Sequence, residues 1–296
     1  MEPENNQSDI CESPAAFGTL YIVATPLGNL EDITFRAVNI LKKVDVIAAE
    51  DTRHSKKLLS HYGIQARLIS CHEHNETAKT SHLISQLKNG LKIALISDAG
   101  TPCISDPGFI LVKTAAKENI PVIPIPGCNA AIAGLSVSGL PTDSFLFLGF
   151  LPKKKQQLKK ALEKQKDQSP TLIIYESPKR IKKLIENMIL ILGDRNACLI
   201  REMTKLHEEY IRGPLSLILE KLETKERIRG EIALFVQGCP QDKPIMDPKR
   251  LETIIMDLLS SSDLGTAALA RQICDQYPVR KKQVYDLILK LQNNNK

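Results

Sequence analysis

Leu20-Tyr21-Ile22-Val23-Ala24-Thr25-Pro26-Leu27-Gly28-Asn29-Leu30 joins an apolar run directly to a turn of Thr, Pro, Gly and Asn. The five apolar residues 20–24 face both sides of a pleat, which suits a strand covered by helices on both faces. Pro26 and Gly28 then end the strand sharply. The pattern recurs outward along the chain. Residues 44–49, 67–70, 93–96, 121–125 and 144–147 read as five further strands of the same sheet. Helical patterns separate them, the first starting near Asp32. Alternation of this kind predicts an α/β fold with a parallel sheet and ligand sites at the carboxyl ends of its strands.

Three strand ends carry glycine-rich turns that let backbone approach a ligand closely. The first holds Pro26, Leu27 and Gly28. The second runs Ser97-Asp98-Ala99-Gly100-Thr101-Pro102 and continues through Ser105-Asp106-Pro107-Gly108. The third is Pro126-Gly127-Cys128-Asn129-Ala130. Tight connections use Gly and Pro in any case, but three such turns from one sheet predict one crevice. No G-x-x-x-x-G-K-[ST] occurs, and no G-x-G-x-x-G follows the first strand, so a cradled triphosphate or dinucleotide is not indicated.

The domain reading places a disordered-looking start at 1–17, a first α/β domain at 18–150 and a boundary after Phe150. Pro152-Lys153-Lys154-Lys155 breaks the pattern there. A second α/β domain, 151–239, begins with a strand at 171–175, continues with a helix from about Pro178 and closes with a strand at 231–236. Residues 238–248 carry three prolines and read as a linker. The remainder of 240–296 reads as three short amphipathic helices.

A net charge of +6 permits a polyanionic partner without identifying one. Aromatic residues make up 4% of the chain with no Trp, which argues against a base-stacking platform. The seven cysteines include no C-x-x-C pair and are odd in number, so reduced thiols are expected. No apolar run reaches membrane-spanning length, and the polar, acidic start lacks the order of a signal peptide, so the expected location is the cytoplasm. Cys71-His72-Glu73-His74 would put two imidazoles on one face if it were a strand. Two ligands do not make a zinc site, and no metal is expected.

The opening stretch, extended to Thr34, resembles the ribosomal RNA small-subunit methyltransferase I family, of the tetrapyrrole methylase superfamily. So do Ala49-Glu50-Asp51-Thr52-Arg53, residues 97–108, Tyr175-Glu176-Ser177-Pro178, Arg201-Glu202-Met203-Thr204-Lys205 and Arg229-Gly230-Glu231. The likeness covers about 18–238. It implies two α/β domains with S-adenosylmethionine between them, followed here by a small helical extension. Leu27, Asp98, Thr101, Asn129 and Ala130 match the superfamily's cofactor positions, with Tyr175 contributing from the second domain. Pro26, Gly28, Ala99, Gly100, Ser105, Pro126 and Gly127 complete the candidate set. Three departures stand out: Ala24 replaces a usual Pro, Cys128-Asn129 a Pro-Ser pair, and Lys179 a His.

The resemblance further implies 2′-O-methylation of a cytidine in the decoding region of 16S ribosomal RNA, within the 30S particle, by a homodimer. A ribose hydroxyl is a weak acid, so a base must help remove its proton. Glu176 and Glu50 lie near the predicted crevice and are the candidates, Glu176 preferred, although a carboxylate there equally serves a helix start. Arg53, Lys153, Lys154, Lys155, Lys179 and Arg180 are the candidate RNA contacts, and the lysine run to Lys166 extends them. Two rival functions remain: a sibling enzyme methylating a tetrapyrrole or modified amino acid, and a non-catalytic RNA-binding assembly factor.

Overall fold

The computed structural model describes residues 17–240, 248–261, 264–277, 279 and 281–294. The disordered start expected at 1–17 falls outside them except for Phe17, as does most of the linker.

In the first half, strands and helices alternate as β1 (Leu20–Val23), α1 (Phe35–Leu41), β2 (Val46–Ala49), α2 (Thr52–His61), β3 (Arg67–Ser70), α3 (Glu76–Lys88), β4 (Ile93–Ile96), α4 (Phe109–Lys117), β5 (Val122–Ile125) and α5 (Ala130–Ser138). The five strands form one sheet, ordered β3-β2-β4-β1-β5, and every pairing is parallel. Pro124 can sit in β5 because that strand is an edge and need not donate on its outer side. Both faces are covered. Ile93 and Leu95 pack with Leu83, Leu87 and Leu111 of α3 and α4, while Ala94 and Ile96 pack with Leu41 and Leu59 of α1 and α2. Helix starts follow from local chemistry. Thr34 caps α1 through the Ala37 N–H, and Asp51 caps α2 through the Arg53 N–H. The N-cap of α4 is Gly108, which has no side chain; buried Glu76 of α3 reaches across and accepts the Ile110 N–H at 2.7 Å.

The second half comprises β6 (Phe145–Phe150), α6 (Lys155–Glu163), β7 (Thr171–Glu176), α7 (Ile181–Leu192), β8 (Asn196–Arg201), β9 (Glu209–Pro214), α8 (Leu215–Glu223) and β10 (Ile232–Val236). Its sheet is ordered β6-β7-β10-β8-β9; β6 and β7 are parallel and the rest antiparallel. This corrects one expectation. The strand beginning at Ser144 was expected in the first sheet, but it pairs with β7 in the second, so the chain changes sheets before it rather than after Phe150. The outer face of this sheet packs α6, α7 and α8. The inner face receives α5, where Ala131 and Leu135 meet Ile173, Ile200 and Phe235. Gly134 makes that docking possible, because a Cβ there would run into the fully buried Phe235 ring.

Residues 240–296 form a separate compact unit. Its α9 (Pro248–Ser261), α10 (Thr266–Gln276) and α11 (Lys281–Asn294) enclose a core of Leu251, Ile255, Leu269, Ile273, Val284 and Ile288. Among the described residues, no helix is long and apolar enough to cross a membrane.

Candidate active site

The three glycine-rich turns meet at the carboxyl end of the parallel sheet and are laced together. Thr25 and Gly100 exchange two backbone hydrogen bonds of 2.9 Å each, and buried Thr25 Oγ1 donates to the Ser97 carbonyl at 3.1 Å. Thr101 Oγ1 donates to the Cys128 carbonyl at 2.9 Å, joining the second turn to the third. The Asp51 N–H donates to Asp98 Oδ1 at 3.1 Å, tying in the end of β2. Gly100 lies at φ +83 and Gly108 at +123, in the region that favours glycine, while Cys103 and Ser105 take φ of 69 and 68 despite their side chains. This loop is therefore held in a costly shape by its surroundings.

The turns wall one side of a cavity of 410 Å³ and the second sheet walls the other. Among the predicted cofactor residues, Leu27, Asp98, Ala99, Gly100, Thr101, Ser105, Asn129, Ala130 and Tyr175 line it. Pro26, Gly28, Pro126 and Gly127 do not line it; they shape the turns behind it. A Cβ on Gly127 would come within 2.9 Å of the Ala24 Cβ, and one on Gly28 would displace the stem of Lys205. Asn129 is largely committed: its Oδ1 caps α5 by accepting the Ala131 and Ile132 N–H groups, both at 3.1 Å.

Both predicted bases line the cavity, and they differ. Glu176 is 2% exposed. One carboxylate oxygen accepts from the Ser177 N–H at 2.7 Å, and the other lies 3.2 Å from Arg180. Glu176 thus fastens the end of β7 to the turn before α7, the helix-start alternative raised by the sequence. Glu50 is less constrained, and burial together with neighbouring Asp98 pushes its carboxyl above the ordinary range. Asp106, missed by sequence reasoning, joins them. Burial, reinforced by Glu50, lifts it to about 6. Its signal was available, since it lies in the quoted Ser105-Asp106-Pro107-Gly108 turn.

The far wall was largely unforeseen. Tyr175 was expected, but Ile200, Met203, Gly230 and Ala233 line the cavity from β8, β10 and the loops between them. Phe147 and Phe150 contact the Tyr175 ring edge-on at 5.0 and 5.9 Å, and burial lifts its hydroxyl to about 12, so it stays protonated. Lys205 bonds Glu202 at 3.0 Å and Glu231 at 3.2 Å while its stem lies over Gly28, linking the second sheet's loops to the first turn.

The predicted RNA contacts lie outside the cavity lining. Arg180 is the clearest correction, because its guanidinium donates to the Leu151 and Pro152 carbonyls at 3.1 and 3.2 Å and faces Glu176. It holds the loop after β6 and has little left for a phosphate. Arg53 is exposed and pairs with Asp51 at 3.2 Å. Lys153, Lys154, Lys155 and Lys179 are exposed around the start of α6 and the turn before α7. His72 and His74 sit in a turn, not a strand, with His72 Nε2 3.1 Å from Asn75 Nδ2. Among the described residues, no group of three or more potential metal ligands occurs.

Comparison with known proteins settles the family. The sequence profile of the Tetrapyrrole (Corrin/Porphyrin) Methylases matches residues 19–218. Ribosomal RNA small subunit methyltransferase I of Halalkalibacterium halodurans is 54% identical over 221 residues, 75% of this chain and 76% of that protein. The chain belongs to the ribosomal RNA small subunit methyltransferase I family. The family's Bacillus subtilis member is 43% identical over 91% of this chain and 93% of its own length. Solved structures carry the same fold at low identity. Diphthine synthase superposes with a TM-score of 0.56 at 14% identity over 75% of this chain and 90% of that one. The native uroporphyrin III C-methyl transferase from Thermus thermophilus gives 0.53 at 18% over 74% and 97%. The tetrapyrrole enzymes thus share the fold, while the high identities lie with the ribosomal RNA enzymes.

Proposed function

We propose that the chain methylates the 2′-hydroxyl of a cytidine in small-subunit ribosomal RNA, using S-adenosylmethionine. The observation that carries this reading is the cavity itself: an apolar, carboxylate-rimmed crevice at the strand ends, in a chain of this family. The lining fits such a cofactor. Leu27, Ile104, Ile200 and Met203 offer apolar surface for an adenosine, and Glu50, Asp98 and Asp106 face the space with carboxyls suited to a cationic ligand. Bound there, the cofactor supplies a methyl group already activated on a positively charged sulfur.

The protein's task is then to orient the acceptor and handle one proton. Gly100 and Ala99 present backbone to the ligand, while the locked turns keep Asp98 fixed through the Asp51 N–H. Phe150 and Met203 keep water out from the second sheet's side. The Asp106 carboxylate accepts the proton given up by the attacking hydroxyl, with Glu50 beside it as the alternative acceptor. Glu176 positions the wall rather than taking the proton. A carboxyl titrating near 6 is ionised at neutral pH yet more basic than an ordinary aspartate, which suits the role. This reading includes a substrate presented in its ribonucleoprotein particle and a cytoplasmic homodimer of the 32.9 kDa chain.

The test is to incubate the protein with methyl-labelled cofactor and small ribosomal subunits from cells lacking it, then digest the RNA to nucleosides. Label in 2′-O-methylcytidine is expected. Label on a base, or transfer only to a tetrapyrrole, would contradict the reading.

A further inference from the structure

The net charge of +6 is not spread evenly. Residues 151–192 contain ten lysines and Arg180 against Glu163, Asp167, Glu176 and Glu186, a net of +7, so the rest of the chain sums to −1. The whole positive excess therefore sits on α6, α7 and the loops leading into them. A solvated helix face normally relieves such crowding with carboxylates one turn away. Here, among the described residues, Lys159 is the one lysine of this stretch with an ion pair, to Glu163 at 3.7 Å, while Arg180 pairs with Glu176. No described carboxylate pairs with Lys153, Lys154, Lys155, Lys160, Lys164 or Lys166, nor with Lys179, Lys182 or Lys183.

Shape adds a second observation. An open groove runs between α6 and α7; Lys155, Lys159 and Lys166 line it with Gln156 and Asn187, alongside Glu163 and the apolar Leu190 and Ile191. Both helices begin just past the ends of β6 and β7, where Phe150, Tyr175 and Glu176 line the cavity. The groove therefore leads away from the cavity mouth over the outer face of the second sheet. At 1.5 Å per residue, α6 from Lys155 to Glu163 spans about 12 Å of it, and Lys166 lies just beyond its end. Lys153, Lys154 and Lys179 stand at its head.

We propose that this groove is the track along which the RNA phosphate backbone approaches the cavity. The inference rests on the ribosomal RNA reading and adds where that substrate docks. Lysines strung along a groove, Lys155 and Lys166 without a described carboxylate partner, suit a chain of phosphates better than a flat lipid surface. With few aromatics, affinity comes from charge and shape, and the cavity alone selects the nucleotide.

The test compares the full chain with two triple variants. One carries Lys155→Glu, Lys159→Glu and Lys166→Glu in the groove; the other carries Lys42→Glu, Lys43→Glu and Lys57→Glu on exposed lysines of the first half. Binding of small-subunit RNA is measured across a salt series, and cofactor binding is followed by calorimetry. The groove variant should bind RNA about tenfold or more weakly at low salt, with a log–log salt slope reduced by about 2. Its KM for RNA should rise while kcat and cofactor affinity stay unchanged. A Lys→Gln triple at the same positions should repeat the slope change without charge reversal. An unchanged slope, an equal loss in the first-half variant, or a loss confined to phosphatidylserine vesicles would overturn the track. A wild-type protein that transfers no methyl to RNA would instead overturn the underlying reading.

Discussion

The two sheets of the larger unit divide the work by chemistry as well as by topology. The first is wholly parallel, and its strand ends bring Glu50, Asp98 and Asp106 to the cavity. The second is mixed, closes the cavity with Tyr175, Ile200 and Met203, and carries the lysines of α6 and α7 on its outer face. A cation and its transferable group belong with the acids, and a polyanion belongs with the lysines. The comparison teaches that one net charge conceals two fields of opposite sign, each placed beside the ligand it suits.

Variants in the first half should therefore affect the chemical step, and variants in the second half should affect docking or stability. The largest effect is expected from Asp106→Asn: methyl transfer at saturating RNA should fall by about 10²- to 10⁴-fold, with cofactor still bound in calorimetry. A fall in cofactor affinity with kcat intact would instead make Asp106 a binding residue. In the wild type, the single-turnover rate should rise with pH through about 6, where Asp106 ionises, and then level off. A flat profile across that range would remove Asp106 from the proton transfer.

Smaller effects test the second half and the docking of α5 against it. Glu176→Gln should lower unfolding stability by about 1–3 kcal/mol in urea, because Arg180 loses its carboxylate and the wall its anchor. Its effect on kcat should be minor, whereas a drop as deep as that of Asp106→Asn would return Glu176 to the role of base. Gly134→Ala should cost about 1–3 kcal/mol through the clash with Phe235, loosening α5 from β10. The smallest shift concerns Asp106 and stability. Its folded value of about 6 lies above the ordinary 3.8, so the fold binds this proton more tightly than the unfolded chain does. Stability from this group is full below about 4 and is lost as pH rises through 6. Asp106→Asn should abolish that pH dependence and raise Tm by a few degrees at pH 7.5, the reverse of its effect on transfer.

The first sheet was legible because buried parallel strands are continuous apolar runs: residues 67–70 and 93–96 coincide with β3 and β4, and the turn after β4 carries Gly100. The second sheet was only half legible. Strand β9, Glu209-Tyr210-Ile211-Arg212-Gly213-Pro214, lies at an edge, buries only Ile211 fully and holds two charges, so no apolar run announces it. Strand β6 was seen but assigned to the wrong sheet, because an apolar run does not name its neighbour and a short loop separates it from α5. The same limits governed the site. Resemblance placed the three turns, whereas Asp106 became visible as an elevated carboxyl only once Glu50 was found beside it. Arg180 looked like one more cation in a basic run until the Leu151 and Pro152 carbonyls were seen to occupy it.

Titration of the purified, folded chain with S-adenosylmethionine in a calorimeter tests the central claim most directly. Saturable heat at one molecule per chain is expected, weakened by Asp98→Asn and left unchanged by the groove lysine variants. Absence of heat from a protein whose melt confirms that it is folded would contradict the assignment of the cavity.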